Sequence, residues 1–168
     1  VIVNSAEDGV SVFNSWKIGI AGNTIGHEPG EAVSAPNQNG VHMTFSSNCL
    51  VGLFSAGPVQ VFRGNAIAGN LGHGVYDGSG RSNWIGGNAI GVMDDGATPL
   101  PNGGDGVCLV ETVGDEIGTG WMEGYEDGYN VISCNASNGI SLWSDSGERA
   151  ADVQGNFIGT DPTETLAL

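Results

Sequence analysis

Between Thr119 and Gly128 the chain reads TGWMEGYEDG. Trp121 and Tyr125 stand there beside Glu123, Glu126 and Asp127. Flat apolar rings next to carboxylate acceptors are what a neutral sugar uses for stacking and hydrogen bonding. Trp84 and Tyr76 form a second pair of candidates. Each adjoins an aliphatic residue, Ile85 or Val75, that strand alternation turns to the opposite face, so both rings are expected outward. The expected ligand-binding residues are therefore Tyr76, Trp84, Trp121, Glu123, Tyr125 and Asp127. The plainer alternative for each is cover or ordinary surface, since single exposed aromatics are common on any protein. Trp16 and Trp143 fall near turns and are given no place.

No catalytic constellation emerges. Asp94-Asp95 is the obvious acidic pair, but VMDDGATPLP has the composition of a turn. Arg63 and Arg81 have no carboxylate cluster that the sequence sets beside them. His27, His42 and His73 occupy different positions in the chain pattern, so no shared metal site is implied. Cys49, Cys108 and Cys134 are an odd set without CxxC spacing and read as buried or half-buried fillers. No cofactor is signalled. Calcium suits the acidic balance, yet the EF-hand pattern and the glycine-aspartate nonapeptide repeats are both missing.

The charge balance narrows the partners. Nineteen acidic residues against four basic ones give a net charge of −15 in 168 residues. Four dispersed cations cannot neutralise a run of phosphates, so nucleic acid is excluded as a partner. Anionic membranes and bare polyuronates meet the same repulsion, and no apolar run is long enough for membrane insertion. Neutral polysaccharide, cations and other proteins remain. The acidity also suffices on its own to keep a β-rich surface soluble.

Positioning must come from the elements, and these repeat. GNTIG, GNAIA, GNAIG and GNFIG occupy residues 22–26, 64–68, 87–91 and 155–159. A second phrase, DGVSV, NGVHM, HGVYD, DGVCL and NGISL, interleaves with them; a third pairs Ile20, Val51, Ile85, Ile117 and Val153 with a following glycine. Counting from Asn23 through Asn65, Asn88 and Asn130 to Asn156, long coils alternate with short ones. Such self-similarity marks a solenoid whose units bury their apolar side only by stacking. The short coil leaves no room for a helix, only for three brief strands joined by Gly- and Asn-rich turns. Parallel pairing of each strand with its copies then predicts one inward stack from Ile25, Ile67, Ile90, Ile132 and Ile158, and another from Val10, Val41, Val75, Val107 and Ile140. The asparagines of the GN phrase are expected at tight corners, in left-handed geometry and bonded into a ladder. Asp77 breaks the second phrase, standing where Val12, Met43, Leu109 and Leu142 are apolar.

The stretches YNVISCNASNGISL, DVQGNFIGTDPTETLAL and SNWIGGNAIGVMDDGATPLPNGGDGVCL resemble the repeats of right-handed parallel β-helix proteins of the pectate-lyase-like superfamily, in particular the NVISGN, GNFIGTD and ALPN arrays of secreted bacterial surface proteins. The resemblance covers nearly the whole chain. Residues 1–22 match loosely, and Glu164 replaces the usual glycine of its loop. It implies an all-β right-handed parallel β-helix of about five to six coils, three short strands per coil, forming a single domain over residues 1–168 within a longer protein. It implies an extracellular or cell-surface setting in bacteria. Function is not fixed by this fold, which carries lyases, glycosidases, binding modules and inert stalks.

The expected role is a non-catalytic scaffold, adhesive or carbohydrate-binding segment that contacts neutral glycan through exposed aromatics. A polysaccharide-active lyase or glycoside hydrolase is the enzyme alternative. A structural alternative is end-to-end self-association, or continuation into adjacent repeats, because open solenoid ends expose strand edges.

Overall fold

The repeated phrases are too short and too rich in Gly and Asn for helix, and each supplies two to four residues of strand. In a computed structural model describing residues 1–52, 64–118, 128–145 and 147–168, every described element is a strand. They recur in threes: β1 (Val10–Phe13), β2 (Gly19–Ile20), β3 (Thr24–Ile25); β4 (Val41–Thr44), β5 (Leu50–Gly52), β6 (Ala66–Ile67); β7 (Val75–Gly78), β8 (Trp84–Gly86), β9 (Ala89–Ile90); β10 (Val107–Val110), β11 (Asp115–Gly118), β12 (Val131–Ile132); β13 (Ile140–Trp143), β14 (Ala151–Gln154), β15 (Phe157–Ile158). The GV phrase makes the first strand of each turn, Ile-x-Gly the second and GNxI the third.

Equivalent strands stack in parallel into three five-stranded sheets: β1-β4-β7-β10-β13, β2-β5-β8-β11-β14 and β3-β6-β9-β12-β15. The chain is thus a three-sided β-solenoid. Five strands per sheet enclose about four turns, fewer than the coils expected from the repeats. The shortfall is at the N-terminal end, where a further rung is reduced to a single bridge from Ile2 to Ile25. The loosely matching residues 1–22 nonetheless carry β1 and β2 in full register with β4 and β5.

The expected stacks form. Ile25 pairs with Ile67, Ile67 with Ile90, Ile90 with Ile132 and Ile132 with Ile158. All but Ile158 are fully buried, together with Val41, Met43, Val51, Val75, Ile85, Val107, Leu109 and Ile117. Removing each such side chain from water contributes about 1.5–3 kcal/mol. The glycine of each GV phrase is fixed by this core: a Cβ on Gly40 would sit 2.3 Å from Ile67 Cγ2 and 2.6 Å from the Gly74 carbonyl.

One expectation about the corners is corrected. At three of the GN corners the left-handed residue is the glycine (Gly22 φ 69°, Gly87 φ 71°, Gly155 φ 60°), because it alone lacks the Cβ that crowds this conformation. The asparagine follows it and spends its side chain on the ladder instead. Most left-handed non-glycine residues lie at another corner, between first and second strands: Asn14, Phe45, Ser79 and Glu111, then Lys17, Asn48 and Ser82.

Loop placement explains the alternating coil lengths. After β3, β9 and β15 the chain makes a small antiparallel excursion, closed by His27–Ser34, Val92–Pro99 and Thr160–Ala167 bridges. The other expansions, residues 53–63 and 119–127, follow β5 and β11. Trp121, Glu123, Tyr125 and Asp127 lie outside the described residues.

Candidate functional site

On the outer face of the first sheet two columns of side chains run side by side. One is Asp8, Asn39, His73, Asp105 and Asn138, each the residue before a GV glycine. The other is Ser11, His42, Tyr76, Cys108 and Ser141, paired in register across β1, β4, β7, β10 and β13.

The first column is a hydrogen-bond ladder with a different group at every rung. Asp8 Oδ1 accepts from the Asn39 amide at 3.1 Å and from Asn39 Nδ2 at 2.8 Å. Asn39 Oδ1 accepts from the His73 amide at 2.8 Å, and His73 Nδ1 accepts from the Asp105 amide at 3.1 Å. Asp105 Oδ1 accepts from the amide and side chain of Asn138, both at 2.9 Å. An N–H points at His73 Nδ1, so that nitrogen serves as the acceptor of this rung. Asp105 Oδ2 lies 3.6 Å from the same nitrogen.

The second column presses against the first at Tyr76. The His42 ring meets Tyr76 edge-on at 4.9 Å and the His73 ring lies tilted at 5.9 Å. His42 is itself held at both ends, by Asp8 Oδ2 2.6 Å from Nδ1 and Thr44 Oγ1 3.0 Å from Nε2. The order carboxylate, imidazole, hydroxyl is that of an acyl-transfer relay. Here it follows from register alone, since His42 and Thr44 are outward neighbours on one strand. Gln38, Asn39, His42, Gly72, His73 and Tyr76 line a groove of about 350 Å³. Burial, then the neighbouring Cys108 and Asp77, raises the Tyr76 hydroxyl, which stays protonated. Burial, reinforced by Asp105, pushes the Cys108 thiol up to about 11. Burial also opposes the charge on Asp105, but hydrogen bonds from Ser137 and Asn138 outweigh it and hold that carboxyl below its usual range.

No family model, curated protein or solved structure matches the chain. The grounds for a functional reading are thus its own geometry and the phrases themselves.

The structure places Trp84 on the outward side of β8, half-buried, as alternation requires. Its indole N–H already donates to the Gly118 carbonyl at 2.9 Å, and its ring lies against Gly86 and Gly128. Tyr76 and Trp84 therefore occupy different walls, the first and second sheets, and do not form one platform. Trp16, 63% exposed, bridges to Ser47 at the corner between those walls, and Trp143, 67% exposed, ends β13 with its N–H on Ser141. Asp95 is a turn cap: its carboxylate takes the amides of Ala97 and Thr98 and the Thr98 hydroxyl.

Two groupings were missed in the sequence. His42 and His73 do differ in coil position, yet both reach Tyr76; and His73, Asp105 and Cys108 bring their ligand atoms within 4.8 Å of one another. The signal was available: His73 and Asp105 both precede a GV glycine, and Cys108 lies two residues after one. Inside the core, Asp77 and Asp115 face each other across Asn83, both fully buried. Asn83 Nδ2 donates to Asp77 Oδ2 at 2.6 Å and the Asn83 amide to Asp115 Oδ1 at 2.8 Å, leaving Asp77 Oδ1 and Asp115 Oδ2 without partners. A proton shared between the two carboxyls satisfies both. Burial first, then the charge of Asp115, raises Asp77 to about 7; burial raises Asp115 to about 6.

Proposed function

We propose that this chain is a non-catalytic segment of an extracellular bacterial β-helix, a rigid scaffold or adhesive module that takes neutral glycan on the first-sheet wall. The phrases quoted above ally it with the surface-protein arrays of the pectate-lyase-like superfamily. The observation that carries the glycan reading is Tyr76, held between His42 and His73 over a groove rimmed by Gln38 and Asn39. A ring fixed on two sides offers a stacking surface at little entropic cost, and side-chain amides on the rim match sugar hydroxyls as both donors and acceptors. The net charge of −15 favours neutral over acidic polysaccharide.

Affinity electrophoresis in gels containing soluble neutral polysaccharides tests this. Retardation of the wild-type chain is expected, lost in Tyr76→Ala and largely kept in Trp84→Ala, whose ring lies against its own backbone. Wild-type protein that runs unretarded on every neutral polysaccharide would sink the reading.

Self-association has one observation in its favour. On β13, β14 and β15 the inward positions Leu142, Val153 and Ile158 are 44%, 40% and 48% exposed, and a rung from a second copy or from adjacent repeats covers such a surface. Light scattering that rises with concentration, and falls in Ile158→Asp, supports it.

A further inference from the structure

We propose that His73, Asp105 and Cys108 form a binding site for a zinc-class divalent cation, with a vacant coordination position facing the Tyr76 groove. The proposal does not depend on glycan binding. Three observations carry it. The ligand atoms lie within 4.8 Å of one another, so small side-chain adjustments bring them to the separations of about 3.3–3.8 Å that tetrahedral zinc bonds set, and they offer nitrogen, oxygen and sulfur, the donor types zinc takes from proteins.

Second, the Asn138 rung leaves one oxygen of Asp105 turned toward ligand-type side chains. Asn138 bonds only to Oδ1, and Oδ2 is turned toward His73. Asp8, at the equivalent rung, spends its spare oxygen on His42 at 2.6 Å. The corresponding oxygen of Asp105 instead faces His73 Nδ1 at 3.6 Å. Third, the site combines a firm base with an entrance. Asp105 and Cys108 are buried on a paired strand and the corner before it, whereas the His73 side chain is 31% exposed and lines the groove. Cys108 has no disulfide partner. Coordination exchanges the hydrogen bond between the Asp105 amide and His73 Nδ1 for a metal bond, and leaves the Asn138 rung intact. Three protein ligands with the fourth position open is the arrangement of zinc sites that admit a further ligand.

Cobalt(II), which reports thiolate ligation by a charge-transfer band, is the probe, titrated into the full chain under reducing conditions without glycan. The expected result is a saturable one-to-one band that zinc abolishes by displacement. Cys108→Ser should remove the band, whereas Cys49→Ser and Cys134→Ser keep it. His73→Ala, a change at a partly exposed corner whose melting temperature is recorded alongside, should weaken cobalt binding at least about ten-fold, the scale of losing one ligand or its support. If Cys108→Ser fails to fold, His73→Ala decides alone. No band in the wild-type chain, or a band and affinity unchanged in His73→Ala, overturns the proposal.

Discussion

Two kinds of column run along this solenoid, and they differ in one respect. At the corner before the third strands, Asn23, Asn65, Asn88, Asn130 and Asn156 repeat one residue, each oxygen after the first accepting from the amide and side chain of the asparagine one turn earlier at 2.8–3.2 Å. A parallel column, Asn37, Asn70, Asn102 and Asn135, does the same. On the first-sheet corner the geometry is equally regular, yet Asp8, Asn39, His73, Asp105 and Asn138 vary, and the bonds run the other way, later turn to earlier. A column that keeps one residue is solving a structural problem: how to satisfy buried backbone at a tight corner. Once the backbone's need is met by any acceptor, the remaining atoms of the side chain are free to differ, and that freedom is where chemistry enters.

The comparison is broken most forcefully at Asn88. It accepts twice from Asn65 and donates to Asn130, Val51 and Gly86. Asn88→Ala strands several buried groups, each costing about 1–3 kcal/mol, so a loss of about 3–5 kcal/mol is expected. Chemical denaturation should register it as a lowered midpoint. By contrast Asn138→Ala, at an exposed rung of the varied column, keeps the backbone amide bond to Asp105 and should cost well under that.

The buried carboxyls give the next largest effect, with a definite pH sign. Asp77 and Asp115 are raised in the folded chain above the ordinary range they have when unfolded. Between about pH 4 and 7 the folded state therefore holds more protons, and its stability falls as pH rises through that window. Asp77→Asn retains the bond from Asn83 and can donate to Asp115. It should flatten the pH dependence and gain about 2 kcal/mol at pH 8, raising the melting temperature by about 4–8 °C. A melting temperature unchanged between pH 4 and 8 in the wild-type chain contradicts the shared proton.

Much of this was legible in the residues. Recurrence of Ile25, Ile67, Ile90 and Ile132 within one repeated phrase announced a stack because inward positions face identical surroundings in every turn, and Asp77 stood out as the one acid in an apolar series. Asp115 did not, since it starts β11 at a corner where Cys49 and Asn83 precede it, a column with no repeated residue to reveal its phase. Its meeting with Asp77 is a contact between two sheets, which no single repeat encodes. The approach of His73 to Cys108 is of the same kind, joining two phases of the repeat. Glu164 was legible as the replacement of a loop glycine, and it sits at φ 57° where the equivalent Gly96 sits at φ 70°. Glu164→Gly should relieve that strain and stabilise by about 0.5–1 kcal/mol, a small rise in melting temperature.

The smallest change in stability is expected where the largest change in function is proposed. Tyr76 is outward and bears on neighbours that the ladder already holds, so Tyr76→Ala should move the melting temperature by only a few degrees. The decisive measurement is neutral-polysaccharide affinity electrophoresis of Tyr76→Ala beside wild type, with melting recorded on the same samples. Lost retardation in a chain that still melts cooperatively near the wild-type temperature is the predicted result. Retardation that persists undiminished in that folded variant would contradict the assignment of function to the varied columns.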